Sequence, residues 1–452
     1  MSDFDLETNM TTSDVWRPAI PVDWNRLSGG IPTRLPAWWQ CWIDHFSDPA
    51  ATRLVVATRS DGRVAGLLPM VVEQAKATSL HPTRYSPLRR WRLVGDGLAC
   101  SDHAGLLCDG EDVPQVGKSI AERLIRSSRG SSQRWDQLKF EGVSAGDPNM
   151  GALVRALCEL GASIRISSRM NLWFKPSLDD WDVFLSNQGR RIRSRLRKSI
   201  RHLDGDDHLL VHESVEGPEL QSELHQLIAL HQARWEADGQ PGSFADPRMI
   251  SFISNSVARL SEYGAARVRS LRLDDRMVAG ELHLIGGDGR CYVYSSGVDV
   301  RHRDLAAGAL LHAATLRLAS APCCPGVDFM RGDEEYKRRL HSQPVAVLDI
   351  TVDAPTWTGV GLGRFDQMRF RGRQLARRLR GKSRAVELTL DEAFPLDQES
   401  DRWLPVPKPF ASKVHRPAID DERDETGLAN ADSTMLVPSM AEFPAAEVGV
   451  SG

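Results

Sequence analysis

Glu281 and His283 stand two apart in the run Met277-Val278-Ala279-Gly280-Glu281-Leu282-His283-Leu284-Ile285. In an extended strand alternate side chains share a face, so an acid and an imidazole are presented side by side. Either can take a proton from an attacking amine or hydroxyl. Asp333 is a third candidate for that base, and Tyr336 has a hydroxyl able to protonate a leaving group. The chain has five tyrosines, and Tyr292, Tyr294 and Tyr336 all fall in this region. The structural alternative is a solvated charged loop and a histidine satisfied within a core.

Between these groups a strand ending near Ser295 gives way to a small-residue turn, and a helix begins at about Ala307-Gly308. A helix start presents unpaired N–H groups and the positive end of the dipole, which can hold a pyrophosphate. Ala306, Ala307 and Gly308 are small enough to let such an anion reach the backbone. The same residues would also serve a plain β-α connection that needs close packing.

The block Val327-Asp328-Phe329-Met330-Arg331-Gly332-Asp333-Glu334-Glu335-Tyr336-Lys337-Arg338-Arg339 mixes acids and bases just beyond a strand end. Strand C-terminal ends are where α/β proteins place ligands. Arg331 and Lys337 there either bind substrate or pair with neighbouring acids.

The elements that must position these groups divide the chain. Residues 1–20 carry no periodicity and read as a flexible leader. Residues 21–169 show a tryptophan cluster (Trp38, Trp39, Trp42), a hairpin turning at Asp61-Gly62, two further strands and two amphipathic helices. Residues 170–352 open with the strand Met170–Phe174 and a helix that Ser177 and Asp180 would start as a capping box. A basic helix then carries Ile192, Leu196 and Ile200 as its apolar stripe, two longer helices follow, and the remainder is strand-rich. Val64-Ala65-Gly66 and Val278-Ala279-Gly280 fall at the same point of the two lobes, which suggests a duplicated fold. Residues 353–384 form a basic amphipathic extension, and 385–452 an acidic, Pro-rich tail expected to be disordered.

Length and composition bound the rest. With 452 residues and 41% hydrophobic content the chain supports two or three globular domains. A net charge of -3 favours neither nucleic acid nor membrane globally. The seven cysteines include no CxxC pair and suggest reduced thiols, with no metal site expected. The acidic start is no signal peptide, and no apolar run is long enough to span a bilayer, so the expected location is cytoplasmic.

Arg303-Asp304-Leu305-Ala306-Ala307-Gly308 resembles the Arg/Gln-x-x-Gly-x-Gly/Ala loop by which GNAT acetyltransferases grip coenzyme A, with Ala306 in place of the first glycine. The order strand, hairpin, strand, loop, helix, strand is similar to the GNAT core. Arg331-Gly332-Asp333…Tyr336-Lys337, together with Arg234-Trp235, resembles the CelD-like (cellulose-biosynthesis) branch of that superfamily, related to FemAB-type peptidoglycan aminoacyltransferases. The resemblance implies an α/β fold of two tandem GNAT-like lobes with mixed, partly split sheets. It implies acetyl-CoA or another acyl-CoA as co-substrate, bound by Arg303, Ala306, Ala307, Gly308 and Ala309. Arg234, Trp235, Asp328, Arg331 and Lys337 would meet the acceptor, a sugar or an envelope or exopolysaccharide precursor. Transfer would be direct and metal-free, consistent with the lack of a Gly-x-Ser-x-Gly elbow.

Two other readings compete. A FemAB-like enzyme would use aminoacyl-tRNA and set the arginine helix 190–201 against RNA, whereas DNA is not expected. A non-catalytic scaffold for polysaccharide assembly is the other, favoured by Ala306. The segment 364–384 reads either as a solvated helix or as a peripheral membrane or nucleic-acid anchor.

Overall fold

The computed structural model describes residues 6–12, 21–75, 88–108, 110–130, 133–176, 180–319, 324–340, 342–379 and 385–395. Among these, one unit holds 6–173, 331–333 and 344–395, and a second holds 174–330 and 334–343.

The first unit begins with β1 (Leu6–Thr12), α1 (Pro21–Leu27) and α2 (Pro36–Phe46), followed by β2 (Thr52–Arg59), β3 (Val64–Ala75), β4 (Leu88–Leu93) and the short β5 (Leu107–Cys108). Next come α3 (Val113–Ser128), β6 (Gln137–Ser144), α4 (Pro148–Glu159) and β7 (Ser163–Pro176). Leu6–Thr12, expected to lie in a leader without structure, pair with Arg53–Arg59 along their whole length. Asp147 caps α4 by accepting from the Met150 amide, and Pro148 supplies the preset first turn. Trp38, Trp39 and Trp42 of α2 are fully withdrawn from water, with Trp38 donating to Ser101 at 2.7 Å and Trp42 to the Asp96 carbonyl at 3.1 Å. They are packing anchors.

In the second unit, α5 (Trp181–Ser186) is capped by Asp180, which accepts from the amides of Asp182 and Val183. Ser177, expected as the cap, lies outside the described residues. After α5 come α6 (Arg190–Asp204), β8 (Leu209–Ser214), α7 (Gly217–Ala237), α8 (Pro247–Ser261), β9 (Ala266–Leu273), β10 (Arg276–Ile285), β11 (Cys291–Val298), α9 (Ala307–Leu318), β12 (Gly326–Arg331) and α10 (Glu335–Arg339). The buried stripe of α6 is Leu196, Ser199 and Leu203, one turn displaced from the expected Ile192–Leu196–Ile200, while the two isoleucines are half-buried. The sheet runs β12-β11-β10-β9-β8, antiparallel except for β11 against β12. Leu227 of α7 sits over Gly280 on one face. On the other face Arg269 of β9 donates to Thr315 of α9.

The chain then returns to the first unit with β13 (Gln343–Asp353), α11 (Trp357–Leu379), β14 (Val386–Leu388) and α12 (Leu390–Ala393). Its sheet runs β1-β2-β3-β4-β6-β13-β7, with β5 on β3 and β14 on β7. The strand Gln343–Asp353, read from sequence as the close of the second lobe, thus lies inside the first. The expected boundary at 169/170 falls within β7. The tail expected from residue 385 instead begins with ordered structure: β14 pairs with β7, Thr389 and Glu392 form a capping box, and Phe394 is buried against Gly151. Residues 396–452 lie outside the described ones.

Each unit has a hairpin whose register shifts at the repeated tripeptide. β2 and β3 slip at Ala65, β9 and β10 at Val278. A bulge bends the strand, and the glycine that follows lets a helix approach: Val116 of α3 over Gly66, Leu227 of α7 over Gly280. The shared sequence marks a shared device.

Candidate active site

The ladder joining β11 and β12 consists of Cys291–Val327 and Tyr292–Asp328, both at the strand starts. Past them no pairing joins the two strands among the described residues. The sheet therefore splits toward the C-terminal ends of two parallel strands, where α/β folds bind ligands. On the other edge of β11 the register with β10 shifts between Leu282 and His283, leaving Tyr294 as an extra residue in β11. Such bulges are enriched beside active sites, where they re-aim backbone groups.

Glu281 and His283 lie on the α9 side of β10, in line with the alternation expected from sequence. The Glu281 Oε2 and His283 Nε2 atoms are in hydrogen-bond contact, and both side chains are buried. Burial raises the Glu281 carboxyl well above its ordinary range, against the opposing charge of Arg269. Burial likewise lowers His283 well below its usual value, and Arg269 and Arg267 add to the effect. The His283 Nδ1 has no hydrogen-bond partner. Arg269, opposite Glu281 on β9, donates in turn to Glu213 and Thr315.

His312, on the inward face of α9, completes the cluster. Its ring stacks on Phe329 at 5.2 Å and meets Tyr336 edge-on at 4.7 Å. Neither ring nitrogen has a partner, although the residue is only 4% exposed. Its basicity is suppressed by burial, then by His283 and Lys337. Tyr336 is half-buried, and its hydroxyl is raised above its ordinary range by desolvation and by the negative charges of Glu334 and Glu281. An acid, two imidazoles and a phenol thus form one field of oppositely perturbed groups, the pattern expected of acid–base machinery.

α9 starts where the split opens. A 3-10 turn, Val300–Leu305, leads into Ala306, which holds a left-handed conformation at φ 52 and ψ 38. An alanine there is strained by about 1 kcal/mol relative to glycine, and such strain gathers at functional sites. No side chain caps the helix. Ala307 and Gly308 are buried, Ala309 is half-buried, and the first turn offers amides with no side-chain competitor. Upstream, Asp299 is held down to about 2 by its hydrogen bonds to Arg301 and is thereby occupied. Arg303 lies in the 3-10 turn.

The remaining expected site residues are placed elsewhere or engaged structurally. Asp333 belongs to the first unit, where its Oδ1 accepts from the Asn171 amide, the Asn171 side chain and Trp173 Nε1. Arg331, also in the first unit, grips buried Asp102 through its Nε and its own amide. Asp328 is buried and accepts from the Met330 amide, steadying the positive φ of Met330. Lys337 is fully buried, paired with Glu334 at 2.7 Å and donating to the Phe329 carbonyl at 3.1 Å. Arg234 and Trp235 are on α7, across the sheet from the Glu281–His283 pair. Trp235 donates to His231 at 3.0 Å, and burial, then Arg234, lowers that histidine to about 4.

His312 and Phe329 are site residues that sequence reasoning passes over. A signal existed: His312 is the lone polar heavy side chain in Ala309-Leu310-Leu311-His312-Ala313-Ala314, at a helical offset that faces the sheet. Among the described residues no His, Cys, Asp and Glu side chains group in a way that could hold a metal.

Residues 190–338 match the family model described as "Acetyltransferase (GNAT) domain". This stretch, which contains the split sheet, the Glu281–His283 pair and the uncapped helix, is a GNAT-type acyltransferase domain, and the chain is an acyltransferase. Among solved structures the chain is similar to FemX at 14% identity, over 76% of this chain and 96% of that one, with a TM-score of 0.50. It also matches L-PGS from Bacillus licheniformis at 11% identity, over 75% and 97%, with a TM-score of 0.41. A GCN5-related N-acetyltransferase from Kribbella flavida matches at 16% identity, over 74% and 96%, with a TM-score of 0.30. The FemX likeness is one of fold. Comparison with curated proteins returns no match.

Proposed function

We propose that this protein transfers an acyl group, acetyl in the simplest case, from acyl-CoA to an amine or hydroxyl of a sugar or cell-envelope precursor. The observation that carries the reading is the uncapped start of α9 at the opening between β11 and β12, within the GNAT-type domain. The amides of Ala307, Gly308 and Ala309 would take the pyrophosphate, aided by the helix dipole. The thioester would lie along the split beside Tyr294, its carbonyl polarised by backbone N–H.

The acceptor attacks that carbonyl. Its proton passes to the Glu281–His283 pair, the C–S bond breaks, and the thiolate takes a proton from the Tyr336 hydroxyl. A raised carboxyl is a stronger proton acceptor than an exposed one, which suits Glu281 to act near neutral pH. With Glu281 ionised, His283 donates its Nε2–H to the carboxylate and keeps its unpartnered Nδ1 lone pair as the entry point for the proton. The CelD-like branch gives the acceptor class, through the likeness of the segment 331–337.

Calorimetric titration with coenzyme A tests the donor. Micromolar binding that competes with acetyl-CoA is expected, and no heat at millimolar ligand removes the reading.

One observation favours aminoacyl-tRNA as donor instead. Arg190, Arg191, Arg195, Arg197, Lys198 and Arg201 stand exposed along α6, a surface suited to a polyanion. That donor predicts tight, salt-sensitive tRNA binding together with silence toward coenzyme A.

A further inference from the structure

The first unit carries a helix whose outer face is unusual for a protein surface exposed to water. α11 is seated by one side only. Leu362 is fully buried, Gly359 lies against the Ala354 backbone, Gly363 lies against Asp353, and Asp366 accepts from Gln137. The opposite side presents Trp357, Val360, Arg364, Met368 and Arg371, spaced three or four residues apart and therefore in one stripe. Trp357 is 95% exposed and Met368 67%. A tryptophan almost wholly in water forgoes much of the burial its ring would gain.

Charge accompanies the apolar groups. Arg364 and Arg369 are also exposed, and the guanidinium of Arg369 lies 5.7 Å from the Phe365 ring. The sequence continues with Arg373, Arg377, Arg378, Arg380, Lys382 and Arg384, and Asp366 is the one acid from Arg364 to Arg384. Arginines interleaved with tryptophan and methionine on one helical face fit a surface that is anionic at the headgroups and apolar beneath. Nucleic acid would match the charge but leave Trp357, Val360 and Met368 without a dry partner. No described helix is long and apolar enough to cross a bilayer, so the contact would be peripheral.

We infer that α11 docks this protein onto an anionic lipid surface, Trp357 and Met368 entering the headgroup boundary and Arg364 and Arg371 meeting lipid phosphates. The inference stands apart from the acyl-transfer reading.

The test is cosedimentation of the full chain with vesicles of phosphatidylglycerol and phosphatidylcholine, against vesicles of phosphatidylcholine alone. Binding to the anionic vesicles that weakens with salt is expected, with little to the neutral ones. Trp357→Ser combined with Met368→Ser should weaken it more than tenfold, and replacing Arg364 or Arg371 by Gln should weaken it about fivefold each. These side chains are solvent-exposed, so the fold should survive, and an unchanged circular dichroism spectrum checks this. Equal binding to both vesicle types overturns the inference, as does anionic binding indifferent to Trp357→Ser and Met368→Ser. So does retention of single-stranded RNA without vesicle binding, which would assign the face to nucleic acid.

Discussion

The carboxyl of Glu281 and the imidazole of His283 are in contact on the same face of β10, both almost fully removed from water. Burial pushes the acid up and the base down, so each is displaced toward its uncharged form. Two such groups in contact titrate as a unit. A proton delivered to the pair can be held by either member, which is what a base in a dry site requires.

The Glu281→Gln variant keeps the shape and the hydrogen bond but cannot accept a proton. Its kcat should fall about a hundredfold, with KM for acyl-CoA little changed. Comparable kcat in the variant and the parent would remove Glu281 from the chemistry. Tyr336→Phe, which preserves the ring against His312, should lose less, because a thiolate leaves readily without help.

Ala309→Asp addresses the anion cradle. At the third position of α9 an aspartate complements the dipole, so thermal stability should hold or rise slightly. The same carboxylate would occupy and repel where the pyrophosphate sits. Coenzyme A affinity should drop at least about tenfold, equivalent to 1.4 kcal/mol. If calorimetry shows the same affinity in both proteins, the pyrophosphate binds elsewhere.

Asp333 should separate structure from catalysis in the opposite direction. Three donors converge on its Oδ1, so Asp333→Ala should destabilise the protein by about 2 kcal/mol in urea unfolding. At saturating substrate kcat should stay within about twofold of the parent, a change too small for a lost general base. A hundredfold loss would restore it as a candidate base.

Acid should weaken the second unit through its buried histidines. His231 is lowered from 6.5 to about 4, so it stays neutral in the fold while the unfolded chain binds a proton. Stability from this group is therefore present above pH 6.5 and is lost as pH falls toward 4, by about 3 kcal/mol in all. Urea midpoints measured across that window should decline, and His231→Gln, which retains an acceptor for Trp235, should flatten the decline. A slope identical in the variant would mean that His231 titrates normally.

What the sequence disclosed depended on how local the signal was. The strand-helix passage through Ser295 and Ala307 is legible because small residues and a change of period coincide within a few positions. The alternation of Glu281 with His283 is equally local. Arg331 reads as a substrate-binding residue and Asp333 as a base because their partners cannot be seen from their neighbours. Asp102 lies more than two hundred residues before Arg331, and Asn171 far before Asp333. His312 escapes notice for the related reason that its partners, Phe329 and Tyr336, belong to later elements. The tail was misjudged at its start: composition alone hides Phe394, whose ring finds Gly151 at a distance no window covers.

β13 lies between β6 and β7, although some one hundred and seventy residues separate it from the latter in the chain. A ribosome that has released only the first two hundred residues has therefore made a sheet with an open slot, two facing strand edges awaiting a partner not yet translated. The inserted acyltransferase unit can settle first, all its strands being contiguous. Separate expression should follow the same order: a fragment from Met1 to Pro176 would expose both edges and aggregate, and a peptide spanning Gln343–Asp353 supplied in trans should rescue it.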